Sequence, residues 1–375
     1  MLAQSKPAAE LSLFPVTAAW NTPVDGVLAA PPRLAGQRAF LAVDDAHLTA
    51  YDLETGETVW SVESRPTSVP ATSRDLLFLA EAEAISARRQ DDGTEVWRLP
   101  FSERLATPLV FDNGWLVAAT EDAKLLALRA ADGALIWQHT MEAPINAAPA
   151  LAADRVYAPL SNGRIVALDI ATGTEKWTRR LGGAVNDMLA LDDRLFAGSD
   201  DNYFYSIKIS DGTVNWRWRT GGDVIGVPVV DEHRVYFVSK DNLLRALDRN
   251  SGSQRWKREL PARPTRSLVR AGDALLVSGL APKVTAYAIK DGTPTGDVTS
   301  PGELAAAPFM TQQRGLPQVV IVSRDVTAGT RLLAFRRNVE PALASAVGLL
   351  PNPIPQPRPL PTPASSSPSS PAVAP

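Results

Sequence analysis

The chain contains no cysteine, and that single absence removes disulfides, thiolate metal sites and cysteine nucleophiles together. Either redox compartment remains compatible with it. Histidine is almost as scarce. His47, His139 and His233 fall far apart with no second ligand at metal spacing, so they read as ordinary loop or surface residues. No apolar run reaches the length of about 18 residues that a helix needs to cross a bilayer. The first ten residues hold one Lys and no apolar core of the signal-peptide kind. Charge of one sign is lacking too: 38 basic and 41 acidic residues give a net charge of -3, without long blocks. That balance leaves no electrostatic footprint for nucleic acid or for bulk attraction to anionic lipid.

Helical periodicity is missing as well, and a repeat stands in its place. One pattern runs from a small residue to a Gly to a Trp: Ala50, Gly56 and Trp60; Ala87, Gly93 and Trp97; Ala127, Gly133 and Trp137; Ala167, Gly173 and Trp177. It continues at Ser206, Gly212 and Trp216, at Ala246, Gly252 and Trp256, and at Ala286 and Gly292, where Gly296 takes the place of the Trp. The steps between Trps, counted from Trp20, are 40, 37, 40, 40, 39 and 40 residues, too long for leucine-rich or ankyrin units. Within each copy, short β-rich runs alternate with Gly-centred turns, so each is a small antiparallel sheet of about four strands. The Gly supplies the positive φ of a tight turn, the small residue leaves room on the neighbouring strand, and the Trp fills the space between adjacent sheets. Sheets stacked in this way make an all-β propeller.

The two ends settle the blade count. Residues 11 to 20, ending in Trp20, read as a fourth strand without its first three, while Val319 to Val322 and Arg331 to Arg336 read as the middle of a blade without its fourth. Joined, they make an eighth blade closed by the N-terminal strand and leave no open edge at the seam. Seven blades is the alternative, if the weakest repeat packs outside the ring. The organisation expected is an extension over 1–10, a propeller over 11–338 and a tail over 339–375. Eleven prolines after residue 340, and the serine-rich run from Ser365 to Ser370, make that tail polyproline II and flexible coil with no core. It reads as a solvated spacer; Pro355 to Pro359 could also serve an aromatic-lined groove.

The succession of Tyr or Leu, Asp, two residues, Thr-Gly and a closing Trp resembles the pyrroloquinoline-quinone-like repeat. Tyr51, Asp52, Thr55, Gly56 and Trp60 match it, as do Leu168, Asp169, Thr172, Gly173 and Trp177. The resemblance is specific for the fold and much less so for function. Dehydrogenases of the family hold the quinone and a Ca²⁺ or lanthanide ion in the central channel, on Glu, Asn and Asp, with an Asp as general base. Many add a disulfide between adjacent cysteines. This chain lacks those cysteines and the long blade insertions that build such a pocket, so no catalytic residue, cofactor or metal ligand is assigned. The non-catalytic branch includes the propeller subunit of the bacterial outer-membrane β-barrel assembly machine, whose partner is the barrel-inserting subunit at the periplasmic face. The resemblance thus implies a monomeric, non-catalytic scaffold for protein partners, with a quinone-dependent oxidoreductase and a small-molecule sensor as alternatives. It places the chain in the cell envelope, whereas the missing signal sequence and lipid-anchor Cys leave the cytoplasm as the other location.

Function is expected where the repeat breaks. About 12 residues after most Trps comes a Pro, as at Pro70, Pro108, Pro149, Pro228 and Pro308, and two residues earlier stands Ser68, Ala106, Ala147, Gly226 or Ala306. Two blades carry Asp187 and Arg266 there, and lose the Pro to Leu189 and Leu268. If this first strand borders the channel, Asn186, Asp187 and Arg266 form a polar cluster at its mouth. It would serve as a contact for a small ligand or peptide, or simply as a solvated loop with an ion pair of little energy. Trp218, two residues after Trp216, either widens the blade packing or anchors a partner. Asp44-Asp45 and Asp200-Asp201-Asn202 suit hairpin turns, and Gly182-Gly183 and Gly221-Gly222 belong to the repeat, not to a phosphate cradle.

Overall fold

The turns come first, because they are built from neighbouring residues. Asp52 Oδ1 accepts the backbone N–H groups of Glu54 and Thr55 at 2.8 and 3.1 Å. Asp169 does the same for Ala171 and Thr172, and Asp248 for Asn250 and Ser251. The Asp169 and Asp248 carboxyls lie below the ordinary carboxylate range, Asp169 chiefly through Lys176 and Asp248 chiefly through Arg255. The Gly that follows holds φ of +78° at Gly56, +72° at Gly173 and +71° at Gly252, a region costly to any residue with a Cβ.

In a computed structural model that describes residues 12–339, except 44, 45, 153, 266 and 328, these turns join strands into eight blades. The ring lies within the compact unit Met1–Asn338; the second unit, Val339–Pro375, falls outside the described residues apart from Val339, and with it the expected tail. Blades 1 to 7 are consecutive four-stranded antiparallel sheets. Blade 4 shows the plan: Ala150–Ala152, Arg155–Pro159, Arg164–Asp169 and Glu175–Arg180, each paired to the next. The second and third strands are buried on both faces, and the fourth alternates between buried and exposed. First strands of neighbouring blades touch one another, which places them innermost.

Among the described residues the core is divided, not central. The buried residues form eight clusters, one at each junction between adjacent blades, such as Tyr157, Ile165 and Trp177 of blade 4 with Val185, Leu195 and Tyr205 of blade 5. Within a blade the Trp lies opposite the small residue of the third strand, Trp177 beside Ala167 and Trp60 beside Ala50. Across the junction it lies flat on the turn Gly of the next blade. A Cβ at Gly173 would sit 2.8 Å from Trp137 Cδ2, and one at Gly212 would sit 2.6 Å from Trp177 Cε3. The same pairing joins Trp20 to Gly56, Trp60 to Gly93, Trp97 to Gly133, Trp216 to Gly252 and Trp256 to Gly292. Every one of these indole N–H groups except that of Trp20 then donates to a carbonyl just before that turn, as Trp60 to Gln90 at 2.9 Å and Trp177 to Ile209 at 2.8 Å. An Arg adds to this in three blades: Arg155 donates to Ile209 O, Arg194 to Arg249 O and Arg234 to Ile289 O.

The seam is where the repeat is modified. Eight blades are present, closed as expected by an N-terminal strand, but that strand is Val16–Val24, not 11–20. It pairs antiparallel with Gly329–Arg337, from Val16 opposite Arg337 to Val24 opposite Thr330. The residues before it are used differently. Leu13 is fully buried between blades 7 and 8, and Phe14 occupies the place of the missing Trp of blade 7: a Cβ at Gly296 would fall 2.2 Å from the Phe14 ring. Arg337 holds this segment by donating to the carbonyls of Ser12 and Phe14. At the other side of the seam, Gln318 Nε2 donates to Leu53 O at 2.6 Å, the carbonyl that an indole takes elsewhere, and Trp20 Nε1 is left buried without a partner.

Gly173→Ala should lower the urea midpoint sharply, because a Cβ there meets both the Trp137 ring and a left-handed backbone, at about 1–3 kcal/mol each. Gly36→Ala, at φ +58° with nothing within 4 Å, meets only the backbone term. Equal losses in equilibrium unfolding would contradict the Trp-on-Gly contact.

Candidate functional site

The inner strands of blades 5 and 7 depart from the small-x-Pro pattern, and around them polar groups at the inner ends of blades 4 to 7 bond to one another across junctions. Asn146 Nδ2, at the entry to blade 4, donates to Val185 O of blade 5 at 2.8 Å. Gly226 N–H of blade 6 donates to Asp187 Oδ2 of blade 5 at 3.1 Å. Val227 N–H of blade 6 donates to Ser267 Oγ of blade 7 at 3.1 Å. Gly226 sits at φ +69° within a break of register, and a Cβ there would fall 2.4 Å from Ser267 Oγ. The backbone of blade 6 is thus pressed between the side chains of its two neighbours.

Asn186 and Asp187 lie side by side on Val185–Leu191, with Asn186 at a bulge that aims Asp187 toward blade 6. Burial pushes the Asp187 carboxyl above its ordinary value, and the Gly226 N–H pulls it back in part. Arg266 lies outside the described residues. The sequence does not single out Asn146 and Ser267, and gives Gly226 only as one of the small residues of the repeat. The signals were present, since Asn146 precedes Asn186 by one repeat and Ser267 follows Arg266, but polar residues in a loop carry no address until the blades are stacked.

The opposite uses of carboxylates are equally clear elsewhere. Asp201 accepts from Gly182 N–H at 3.1 Å and from Tyr205 Oη, while Asp241 accepts from Gly221 N–H at 2.9 Å and pairs with the buried Arg245. Bonds from Arg245, Ser239 and Gly221 outweigh the desolvation of Asp241 and bring its pKa down to about 2. The Gly-Gly pairs therefore admit a carboxylate against the backbone. Trp218 is half-buried against the cluster that holds Phe196, Trp216 and Phe237. On the other face, Arg249 reaches Asp192 between blades 5 and 6 at 2.5 Å. Between blades 6 and 7, where Ile289 takes the place of Arg249, a cleft of about 740 Å³ opens beside Asp231, Arg234, Tyr236, Arg270 and Lys290. Asp231 is satisfied within its own turn by Tyr236 Oη and two backbone N–H groups. Among the described residues no group of three or more His, Cys, Asp or Glu could hold a metal ion, and no helix is long and apolar enough to cross a membrane.

A family model described as outer membrane protein assembly factor BamB matches residues 17–84, 80–189 and 179–335. The chain belongs to that family. The repeat seen in the sequence is its pyrroloquinoline-quinone-like repeat. BamB of Nitrosomonas eutropha is 25% identical over 229 residues, which cover 59% of this chain and 49% of that protein. BamB of Moranella endobia is 27% identical over 267 residues, 66% of this chain and 61% of that one. The chain thus spans about half to three fifths of the length of these curated relatives. Among solved structures, BamB from Moraxella catarrhalis superposes with a TM-score of 0.69 at 17% identity, over 86% of this chain and 99% of its own. Quinohemoprotein alcohol dehydrogenase from Comamonas testosteroni gives the same TM-score at 11% identity, over 87% and 77%. Both likenesses are of fold.

For Asp187 the raised pKa carries a definite sign. Its ionisation opposes folding, so the stability it allows is fully present below the unfolded pKa and is lost as pH rises through the folded one. Asp187→Asn, which keeps an oxygen for Gly226 N–H, should raise the urea midpoint at pH 7, by an amount that vanishes toward pH 4. A destabilised variant at pH 7 would show that the carboxylate is held ionised.

Proposed function

We propose that this protein is a non-catalytic propeller scaffold that acts through protein partners in outer-membrane protein assembly at the cell envelope. The observation that carries the reading is the match of the BamB family model across nearly the whole ring. A closed ring of eight junctions is stiff, and it holds many short loops and open blade edges in fixed relative positions. Such a body suits partners that bind across several blades or add a strand to an edge. The inner bonds of Asp187 and Ser267 tie blades together, in keeping with a frame that holds its shape.

The test is co-purification with the barrel-inserting subunit of the assembly machine from the same cells. The scaffold reading expects the two to elute together and the outer-membrane β-barrel proteins to fall in abundance when the chain is deleted. A chain that never associates with the machine, and whose loss leaves those proteins at normal levels, defeats it. Purified protein mixed with the quinone and Ca²⁺ should show no dye-linked alcohol oxidation; turnover would replace the scaffold by an enzyme.

A further inference from the structure

The fourth strand of every blade is an open edge, and the edges differ in charge around the ring. Blade 4 ends in Glu175–Arg180, blade 5 in Val214–Arg219 and blade 6 in Gln254–Glu259, and each of these strands carries Lys or Arg at two of its three outward positions. Arg180, Arg217, Arg219 and Lys257 are exposed. None of the four is in a salt bridge among the described residues, and Arg217 lies over the Tyr203 ring at 4.6 Å. The edges of blades 1, 3, 7 and 8 contain no Lys or Arg, and the one in blade 2, Arg98, is paired with Glu81 and Glu95. A net charge of -3 therefore conceals a basic arc over three adjacent blades.

We propose that this arc is a docking surface for an acidic protein segment in extended conformation, which adds as a fifth strand to the edge of blade 5. Cations on an edge strand also serve to keep other strands away. That purpose does not explain their distribution, because the edge of blade 3, Leu135–Thr140, has no charge at all and exposes Leu135 and Ile136. The charge is confined to one arc in a ring whose other edges do without it. On blade 5 the edge is regular from Trp216 to Arg219, after the bulge at Asn215. Arg217 and Arg219 share one face of that strand, with Trp216 and Trp218 on the other. A strand laid alongside would place alternate side chains beside the two guanidiniums, where opposite charges attract and two main-chain partners are satisfied at once. Arg180 and Lys257 on the flanking blades extend the same field. An anionic membrane fits less well, since a plane touches a curved rim along one line and the cations are spread over three blades.

The proposal rests on the scaffold reading and adds the chemistry of the partner. Its test is fluorescence anisotropy of a short labelled peptide that alternates Glu with Val, titrated with the full chain. The Glu peptide should bind, more weakly as salt rises, and a peptide with Lys for Glu should not. Arg217→Glu with Arg219→Glu should cost at least about tenfold in affinity. Arg74→Glu with Arg104→Glu, an equal change of charge on other blades, should leave it unchanged, each variant being checked for a wild-type urea midpoint. The fully N-methylated peptide, which keeps its charges but cannot pair, should also lose at least about tenfold. Equal binding by the N-methylated peptide, or by the blade 5 variant, overturns the proposal. So does flotation on phosphatidylglycerol vesicles that depends on Arg217 and Arg219 while the peptide fails to bind. Peptide binding without co-purification of the assembly machine would instead defeat the assembly role and leave the arc standing.

Discussion

An indole ring lying on a glycine that has no Cβ is the contact on which the rest of this ring depends. It is made seven times, from Trp20 on Gly56 to Trp256 on Gly292, and it fixes the distance between adjacent blades. The glycine is constrained twice, by the left-handed turn and by the ring above it. The indole is constrained twice as well, by the small residue beside it in its own blade and, in all but Trp20, by the carbonyl it donates to in the next. Because each Trp belongs to one blade and its Gly to the following one, no blade is complete alone. Stability is therefore held in junctions, and the ring gains its eighth junction only when the N-terminal strand returns to blade 8.

The repeated part of this arrangement was legible in the sequence, because a Gly four residues before a Trp at a steady period leaves few architectures open. The blade count followed from the two incomplete ends. What was not legible were the substitutions for the repeat. Gly296 marks a missing Trp, but nothing local says that Phe14, far away in the chain, fills the gap. The closing strand begins at Val16 because Leu13 is buried, and Phe14 half-buried, between blades 7 and 8, which moves the strand off the boundary its spacing suggested. Gln318, which takes the carbonyl of Leu53 in place of Trp20, carries no motif.

The candidate site was legible to a lesser degree. Asp187 stood out because its neighbours in register are small, yet its bonding partner is the backbone of Gly226, which any residue type could present. The basic arc shows the same limit from the other side. Its residues are plain in the sequence, but they become one surface only when three fourth strands are known to be adjacent edges, and bulk charge gives the opposite impression.

The direct test of the account is native-state hydrogen exchange on the intact chain. If closure by the N-terminal strand completes the set of junctions, the amides of Val16–Val24 that pair with Gly329–Arg337 should exchange through the same opening as the third strands of the other blades, with similar protection. Exchange of those amides orders of magnitude faster, with the other blades still protected, would show that the ring stands without its seam and would contradict the account.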